Sequence, residues 1–240
     1  MLSCTSLDPS EDRRLRPLRR PDAVLFDLDG TLADTAPDLA YALNETLRHF
    51  GHPPLPFQAI RPVVSHGGIA LIRLGFGMEP DDPGFEERRA HLLQVYQDNL
   101  CRETRLFEGM PEVLDELERR QIRWGIVTNK PSWLTEPLVQ ALGLAERTPA
   151  IVSGDTCPER KPHPMPLLHA CRLLAIDPGH CWYLGDAGRD MQAARAAGAV
   201  PVGATFGYIY PDDPVEGWDS DRNIDRPAQL IDLIARSAVP

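Results

Sequence analysis

The sequence predicts an α/β fold, a doubly wound parallel sheet into which an all-helical block is inserted. Three observations predict it. A short apolar run at 23–26 stops at an Asp-Leu-Asp-Gly turn, as a buried parallel strand does. The next block, residues 35–105, contains helical patterns with no strand between them. From residue 107 to the C-terminus, short apolar runs alternate with helices, which is typical of a doubly wound sheet.

The helical block begins soon after the first strand. Thr35 is a suitable N-cap, Pro37 suits the first helical turn, and the apolar residues that follow recur on one face. Further helices are predicted at about 57–63, 67–75 and 84–102. We interpret residues 35–105 as an insert with its own apolar faces.

The second half of the chain supplies the rest of the sheet. Besides the run at 23–27, the predicted strands are 122–127, 150–152, 181–184 and 200–204. The helices predicted to alternate with them are 110–120, 133–142, 164–174, 188–197 and 228–235. A chain of 240 residues can form one large domain with a smaller insert. Residues 22–34 and 106–240 are therefore predicted to form the α/β core, and residues 1–21 a disordered tail.

The charge distribution argues against binding to nucleic acid or to an anionic membrane. The net charge is −10; the tail alone carries about +2, so the rest of the chain carries about −12. Such a body repels phosphate backbones and lipid headgroups, which favours a small phosphorylated metabolite as the partner. The five cysteines form no C-x-x-C pair, and no signal-peptide core is evident, so we expect a cytoplasmic protein. The oligomeric state is left open by the sequence.

Asp27 and Asp29 follow the first strand. Two carboxylates two residues apart on an extended chain point the same way. One can serve as a nucleophile and the other as an acid and then a base, and a divalent cation would reduce their mutual repulsion. The alternative is a simple turn at Asp29-Gly30.

Polar groups also follow the later strands. Thr128 and Asn129 can hold phosphoryl oxygens, although a turn cap is their common role. Lys161 is followed by Pro162 and Pro164, which stiffen its segment, and it can stabilise a phosphate and a charged nucleophile. Asp186 and Asp190 can face one cation, or can act as an N-cap and a first-turn charge of a helix. Ligands bind at the carboxyl ends of parallel strands, so these groups are expected to converge.

Taken together, the four segments D27-L-D-G-T, T128-N, K161-P and G185-D-A-G-R-D190 resemble the motifs of the haloacid dehalogenase superfamily. The resemblance covers about residues 22–235 and implies a Rossmann-like core of the type found in that superfamily. The insert occupies the position of the superfamily's cap domain.

The resemblance also implies a mechanism. The residue at Asp27 attacks phosphorus and forms an aspartyl-phosphate, and Asp29 protonates the leaving oxygen and later activates water. The implied cofactor is Mg²⁺, held by Asp27, the Asp29 carbonyl and Asp186, with Asp190 supporting from nearby. The phosphoryl group is expected to contact three groups: Thr128, the Asn129 backbone and Lys161.

Within the superfamily, FDLDGTLADTAPDLAYALNETL and VTNKP resemble the phosphoglycolate phosphatase group. GDTCPERKPHP and the late FGYIYPDD segment also resemble a sister group that acts on N-acetylmuramic acid 6-phosphate. We expect 2-phosphoglycolate as substrate, with the muramic acid derivative as the alternative. His66 and Arg73 are open candidates for substrate contacts in the insert.

Two other classes of function remain as alternatives. A phosphomutase on the same scaffold would return the phosphoryl group to a sugar, whereas a phosphatase releases free phosphate. A non-catalytic regulatory module would be expected to lack at least one motif residue, and none is missing here.

Overall fold

The computed structural model of the protein describes residues 16–238. Among these residues, six strands form one sheet: β1 (Ala23–Phe26), β4 (Arg123–Val127), β5 (Ile151–Val152), β6 (Cys181–Gly185), β7 (Val200–Ala204) and β8 (Arg222–Ile224). Their order across the sheet is β5-β4-β1-β6-β7-β8, and all neighbouring strands are parallel. The chain leaves β1 toward β4 on one side and later returns to β6 on the other. The reversal of strand order therefore lies at β1.

Alternate residues of β1 pack on opposite faces of the sheet. Val24 and Phe26 belong to one buried apolar cluster, and Ala23 and Leu25 belong to a second. Both faces are therefore covered, which confirms the predicted doubly wound α/β class. The helices are α1 (Ala36–His49), α2 (Phe57–Ile60), α3 (Gly67–Phe76), α4 (Phe85–Asp98), α5 (Met110–Arg119), α6 (Ser132–Ala141), α7 (Met165–Leu173), α8 (Gly188–Ala197) and α9 (Gln229–Arg236).

Helices α1 to α4 lie between two short strands, β2 (Ala33–Asp34) and β3 (Arg105–Leu106), which pair antiparallel. A 3₁₀ helix, Arg61–His66, joins α2 to α3. The segment between β2 and β3 is thus helical, as the sequence predicts. Its treatment as a separate cap domain with boundaries at 35 and 105 stays a prediction. No helix within residues 16–238 combines the length and the apolar character that crossing a bilayer requires.

Three predictions about local structure need correction. The strands β2, β3 and β8 were not predicted, because none of them is a short apolar run of the kind that marks a buried strand. Residues 61–63, predicted as α-helix, begin the 3₁₀ helix. Thr35 occupies the N-cap position of α1, but its side chain makes no capping hydrogen bond. Its hydroxyl instead donates to Asp29 Oδ1 at 2.6 Å.

Part of the predicted tail lies on the core. Residues 1–15 fall outside the described residues. Arg20 N donates to the Ala238 carbonyl at 3.0 Å, and Ala238 N donates to the Leu18 carbonyl at 2.8 Å. Leu18 also packs against the larger apolar cluster. The last residues before β1 are thereby joined to the C-terminal end of the chain.

Candidate active site

The loop after β1 brings Asp27 into the centre of the sheet edge. Asp27 is buried, and its Oδ1 accepts the backbone N–H of Leu28 at 2.7 Å. Gly30 has a φ of +82°, and a Cβ there would lie 2.0 Å from Asp186 Oδ2. Two features therefore require glycine at this position: the positive φ and the close approach of the loop to Asp186.

Lys161 lies at the floor of this site with its side chain fully buried. Its Nζ is 2.9 Å from Asp27 Oδ1 and 2.8 Å from Asp190 Oδ1. It also donates to the Val127 carbonyl and the Tyr183 hydroxyl, at 3.0 and 2.7 Å. A buried ammonium with this many oxygen partners is fixed in position and offsets the charge of two carboxylates.

The side chain of Asn129 positions Lys161. Its Nδ2 donates to the Lys161 carbonyl at 2.9 Å, and its Oδ1 accepts the Lys161 N–H at 3.0 Å. This pair of hydrogen bonds joins the loop after β4 to the loop that carries Lys161. Only the backbone of Asn129 was predicted to have a role, so the positioning role of its side chain is a finding of the structure.

Three buried carboxylates converge beside Lys161. Asp27, Asp186 and Asp190 each offer an oxygen, and these oxygens lie within 4.8 Å of one another. Burial raises the pKa of Asp27 to about 6, although Lys161 lowers it. Burial, followed by the charges of Asp27 and Asp190, raises the pKa of Asp186 to about 8. Oxygen ligands of this kind suit Mg²⁺, and a divalent cation would remove the repulsion, so the donor set fits the predicted cofactor.

Asp190 and Asp186 have different surroundings within this cluster. Asp190 accepts hydrogen bonds at both oxygens, from Lys161 at Oδ1 and from Ala187 N at Oδ2, 3.1 Å away. Asp186 Oδ2 accepts from Tyr208 N at 2.8 Å and from Ser65 Oγ at 3.0 Å. The N-cap of α8 is Ala187, so the alternative interpretation of Asp186 as an N-cap is wrong. Asp190, in contrast, does bond the N-terminus of its own helix.

Asp29 also lines the site, and its Oδ1 accepts hydrogen bonds from two donors. Thr35 Oγ1 and Lys130 Nζ lie 2.6 and 2.9 Å from its Oδ1. The side chain of Lys130 is only 7% exposed, and the ring of Tyr96 from α4 lies 4.6 Å from its Nζ. Burial lowers the pKa of Lys130, but Asp29 and Tyr96 raise it to a net value above the ordinary range. Lys130 was not predicted as a site residue, although its position beside Asn129 at a strand end was an available signal.

Thr128 lies at the end of β4 and is buried. Its Oγ1 accepts the Lys130 N–H at 3.1 Å, which is the turn-cap role that the sequence analysis kept as the common one. Thr128, Asn129 and Lys161 all line the same cavity as Asp27 and Asp29. The structure therefore brings together the three groups predicted to bind the phosphoryl oxygens.

This cavity has a volume of about 650 Å³ and lies between the sheet edge and the helical insert. The insert contributes Ser65, His66, Arg89 and Tyr96 to its lining. Arg189 of α8 joins the two parts, because its Nη2 donates to the Ser65 carbonyl at 3.0 Å. Of the two open candidates in the insert, His66 lines the cavity, whereas Arg73 forms an exposed ion pair with Glu79.

Known proteins resemble this chain over most of its length. The profile of the haloacid dehalogenase-like hydrolase family matches residues 24–204. An N-acetylmuramic acid 6-phosphate phosphatase of Pseudomonas aeruginosa is 42% identical over 219 residues, which are 91% of this chain and 96% of that protein. A phosphoglycolate phosphatase of Xanthomonas campestris is 41% identical over 213 residues, 89% of this chain and 96% of that protein.

A solved structure resembles this fold over a similar share of the chain. The crystal structure of a predicted phosphoglycolate phosphatase from Haemophilus somnus superposes with a TM-score of 0.79 at 28% identity, over 89% of this chain and 98% of that one. The resemblance drawn from the four sequence motifs is thus confirmed. With the motif residues gathered at one sheet edge and relatives that are phosphatases, the chain belongs to the haloacid dehalogenase-like hydrolase family.

Proposed function

We propose that this protein is a Mg²⁺-dependent phosphomonoesterase that forms an aspartyl-phosphate on Asp27. The observation that carries the proposal is the contact of the buried Lys161 with Asp27 inside a cluster of three carboxylates. An ammonium beside the attacking carboxylate holds it in place and counters the charge of an approaching phosphate. Phosphoryl transfer depends mainly on such positioning and charge neutralisation.

The chain's own residues account for each proton and each bond in the proposed reaction. A carboxylate oxygen of Asp27 bonds to phosphorus while the bond from phosphorus to the leaving oxygen breaks. Asp29 gives its proton to that oxygen and then takes a proton from the water that hydrolyses the aspartyl-phosphate. Thr128, the Asn129 N–H and Lys161 hold the phosphoryl oxygens.

The residues proposed to hold Mg²⁺ are Asp27, Asp186 and the Asp29 carbonyl, with Asp190 as a supporting group. When bound, the ion supplies positive charge to the phosphoryl oxygens and to the carboxylate cluster. We assign Asp190 a supporting role because both of its carboxylate oxygens already have partners, Lys161 Nζ at one and Ala187 N at the other.

Two substrates are proposed. 2-Phosphoglycolate is the first expectation from the sequence, and the Xanthomonas relative carries that name. The volume of the cavity favours the second, N-acetylmuramic acid 6-phosphate. The Pseudomonas relative is named as a phosphatase of that compound. About 650 Å³ is in the range that encloses drug-sized ligands and is larger than a two-carbon acid requires. Trp133, which lines the cavity and is 42% exposed, offers an aromatic surface to a sugar ring.

The test is phosphate release by the purified protein from both compounds, with Mg²⁺ and with EDTA. Preference for the muramic acid derivative would support the assignment from cavity size, and preference for 2-phosphoglycolate would support the assignment from the motifs. Transfer of phosphate to a second sugar hydroxyl without release would identify a mutase. Absence of any turnover would favour the non-catalytic alternative.

We also propose a class of partner and a cellular location for this activity. A small phosphorylated metabolite is the expected partner, rather than a nucleic acid or a membrane, because the body of the chain is acidic. A cytoplasmic location agrees with the unpaired state of Cys101, Cys157, Cys171 and Cys181.

A further inference from the structure

The ion pair between Lys130 and Asp29 joins two residues that are 101 positions apart in the chain. The side chains are 7% and 14% exposed, so the pair is shielded from solvent. Lys130 Nζ donates to Asp29 Oδ1, the same oxygen that accepts the Thr35 hydroxyl. Both donors act on one oxygen of the carboxylate, which fixes the orientation of the group.

The backbone of Lys130 is itself held firmly. Its N–H donates to Thr128 Oγ1, and its carbonyl accepts Gly154 N at 2.8 Å and Thr135 Oγ1 at 3.1 Å. The ring of Tyr96, a fully buried residue of the insert, lies against the ammonium group. The ammonium group of Lys130 is therefore held in one orientation, and it contacts both the core and the insert.

The composition of the chain also singles out this residue. The sequence contains 25 lysines and arginines, yet its only lysines are Lys130 and Lys161. All the others are arginines. Lysine carries a compact point charge, whereas arginine presents a broad planar fork, so the two residues are not equivalent beside a carboxylate. Both lysines are buried beside a carboxylate of the site.

We propose that Lys130 is a positioning residue for Asp29, an inference that rests on the proposed role of Asp29 as acid and base. Lys130 and Thr35 hold Oδ1, and Oδ2 carries the proton to the leaving oxygen. When the phosphorus–oxygen bond breaks, its electron pair remains on the leaving oxygen, which takes the Asp29 proton. Lys130 makes no bond to the substrate and exchanges no proton in this step.

The leaving group provides a test. An alkyl phosphate needs the proton from Asp29, whereas p-nitrophenyl phosphate has a leaving group stable enough to depart without it. We would measure kcat/KM for N-acetylmuramic acid 6-phosphate, N-acetylglucosamine 6-phosphate and p-nitrophenyl phosphate, because kcat/KM reports the steps up to departure of that group. Lys130→Met should lower it about 10- to 100-fold for both sugar phosphates and less than about 3-fold for the aryl ester. Lys130→Arg should restore part of the loss.

The second lysine is the matched control. Lys161→Met should lower kcat/KM for all three esters alike, because Lys161 faces the phosphoryl group and Asp27. Thermal melting of each variant shows that it is folded. A similar loss on aryl and alkyl esters with Lys130→Met would overturn the inference. A loss confined to the muramic acid derivative would also overturn it, since Lys130 would then bind the substrate carboxylate. Failure of the proposed function gives a different result, because the wild type would then release no phosphate from any of the three esters, or Asp27→Asn would retain activity on all of them.

Discussion

Lys161 Nζ lies 2.9 Å from Asp27 Oδ1, and the loop that presents this lysine is held by the side chain of Asn129. The ion pair joins the end of β1 to a loop that follows β5 in the chain. Neither side chain has more than 4% exposure. A charge pair this well shielded is stable only when further hydrogen bonds satisfy it, and the Val127 carbonyl and the Tyr183 hydroxyl accept such bonds from Lys161.

Asp27→Asn removes the attacking charge and should lower kcat at least about 10³-fold. The fold should survive, because the amide is of the same size and the burial cost of a carboxylate disappears. Phosphate release and thermal melting check both statements. Asp115→Asn, an exposed substitution of the same kind on α5, serves as the control and should keep wild-type activity.

Asp186→Asn should raise stability in the absence of metal and remove activity. Burial and the neighbouring carboxylates disfavour the charged form of Asp186, whose pKa is raised to about 8. An amide can still accept the Tyr208 N–H. We expect the thermal midpoint in EDTA to rise by about 2–4 °C, the shift that roughly 1 kcal/mol gives in a chain of this size. Mg²⁺ should raise the midpoint of the wild type but not of the variant. A lower midpoint in EDTA would contradict this explanation.

Asn129→Ala should reduce activity about 10- to 100-fold by releasing Lys161 from its two hydrogen bonds. The stability cost should be about 1–3 kcal/mol, as expected for two such bonds. Asn44 is a matched control, because its side chain makes the same pair of bonds to the backbone of Leu55 in the insert. Asn44→Ala should lower stability comparably in urea unfolding and leave turnover near wild type. Equal loss of activity in both variants would show that Asn129 acts only through stability.

Gly30→Ala should be far more damaging than Gly143→Ala. Both glycines have a positive φ, so both variants incur a backbone cost of about 1–2 kcal/mol. A Cβ at Gly143 meets no atom within 4 Å, whereas one at Gly30 would collide with Asp186. Urea unfolding of the two variants measures how much stability the collision costs beyond the backbone strain. We expect at least about a 10²-fold loss of activity for Gly30→Ala but not for Gly143→Ala. Similar activity in the two variants would show that Asp186 tolerates the displacement.

The sequence was informative where a local pattern decides the structure. The apolar run before Asp27 and the alternation after residue 107 predict the parallel sheet, and the topology of parallel strands then brings Asp27, Lys161 and Asp186 to one edge. The helical character of the insert was also evident, because α1 has a regular apolar face.

Contacts between distant segments could not be predicted in this way. The ion pair of Lys130 with Asp29 and the bond from Arg189 to Ser65 depend on how the insert packs over the sheet. Thr35 shows the same limit at short range. Its type and position indicate an N-cap, but its backbone has φ −95° and ψ −4°, in the helical region rather than the extended conformation usual for a capping residue. Its hydroxyl donates to Asp29 Oδ1, six residues away and outside the helix, so this contact defines the role of the side chain.

The most direct test of the central claim is to mix the enzyme with Mg²⁺ and ³²P-labelled N-acetylmuramic acid 6-phosphate or 2-phosphoglycolate and to quench the reaction in acid within milliseconds. The proposed mechanism predicts labelled protein whose phosphate is released by hydroxylamine, as an acyl phosphate is, and which maps to the peptide that contains Asp27. The label should be absent from Asp27→Asn. Rapid phosphate release from the wild type without any labelled protein, or a label on another residue, would contradict the mechanism.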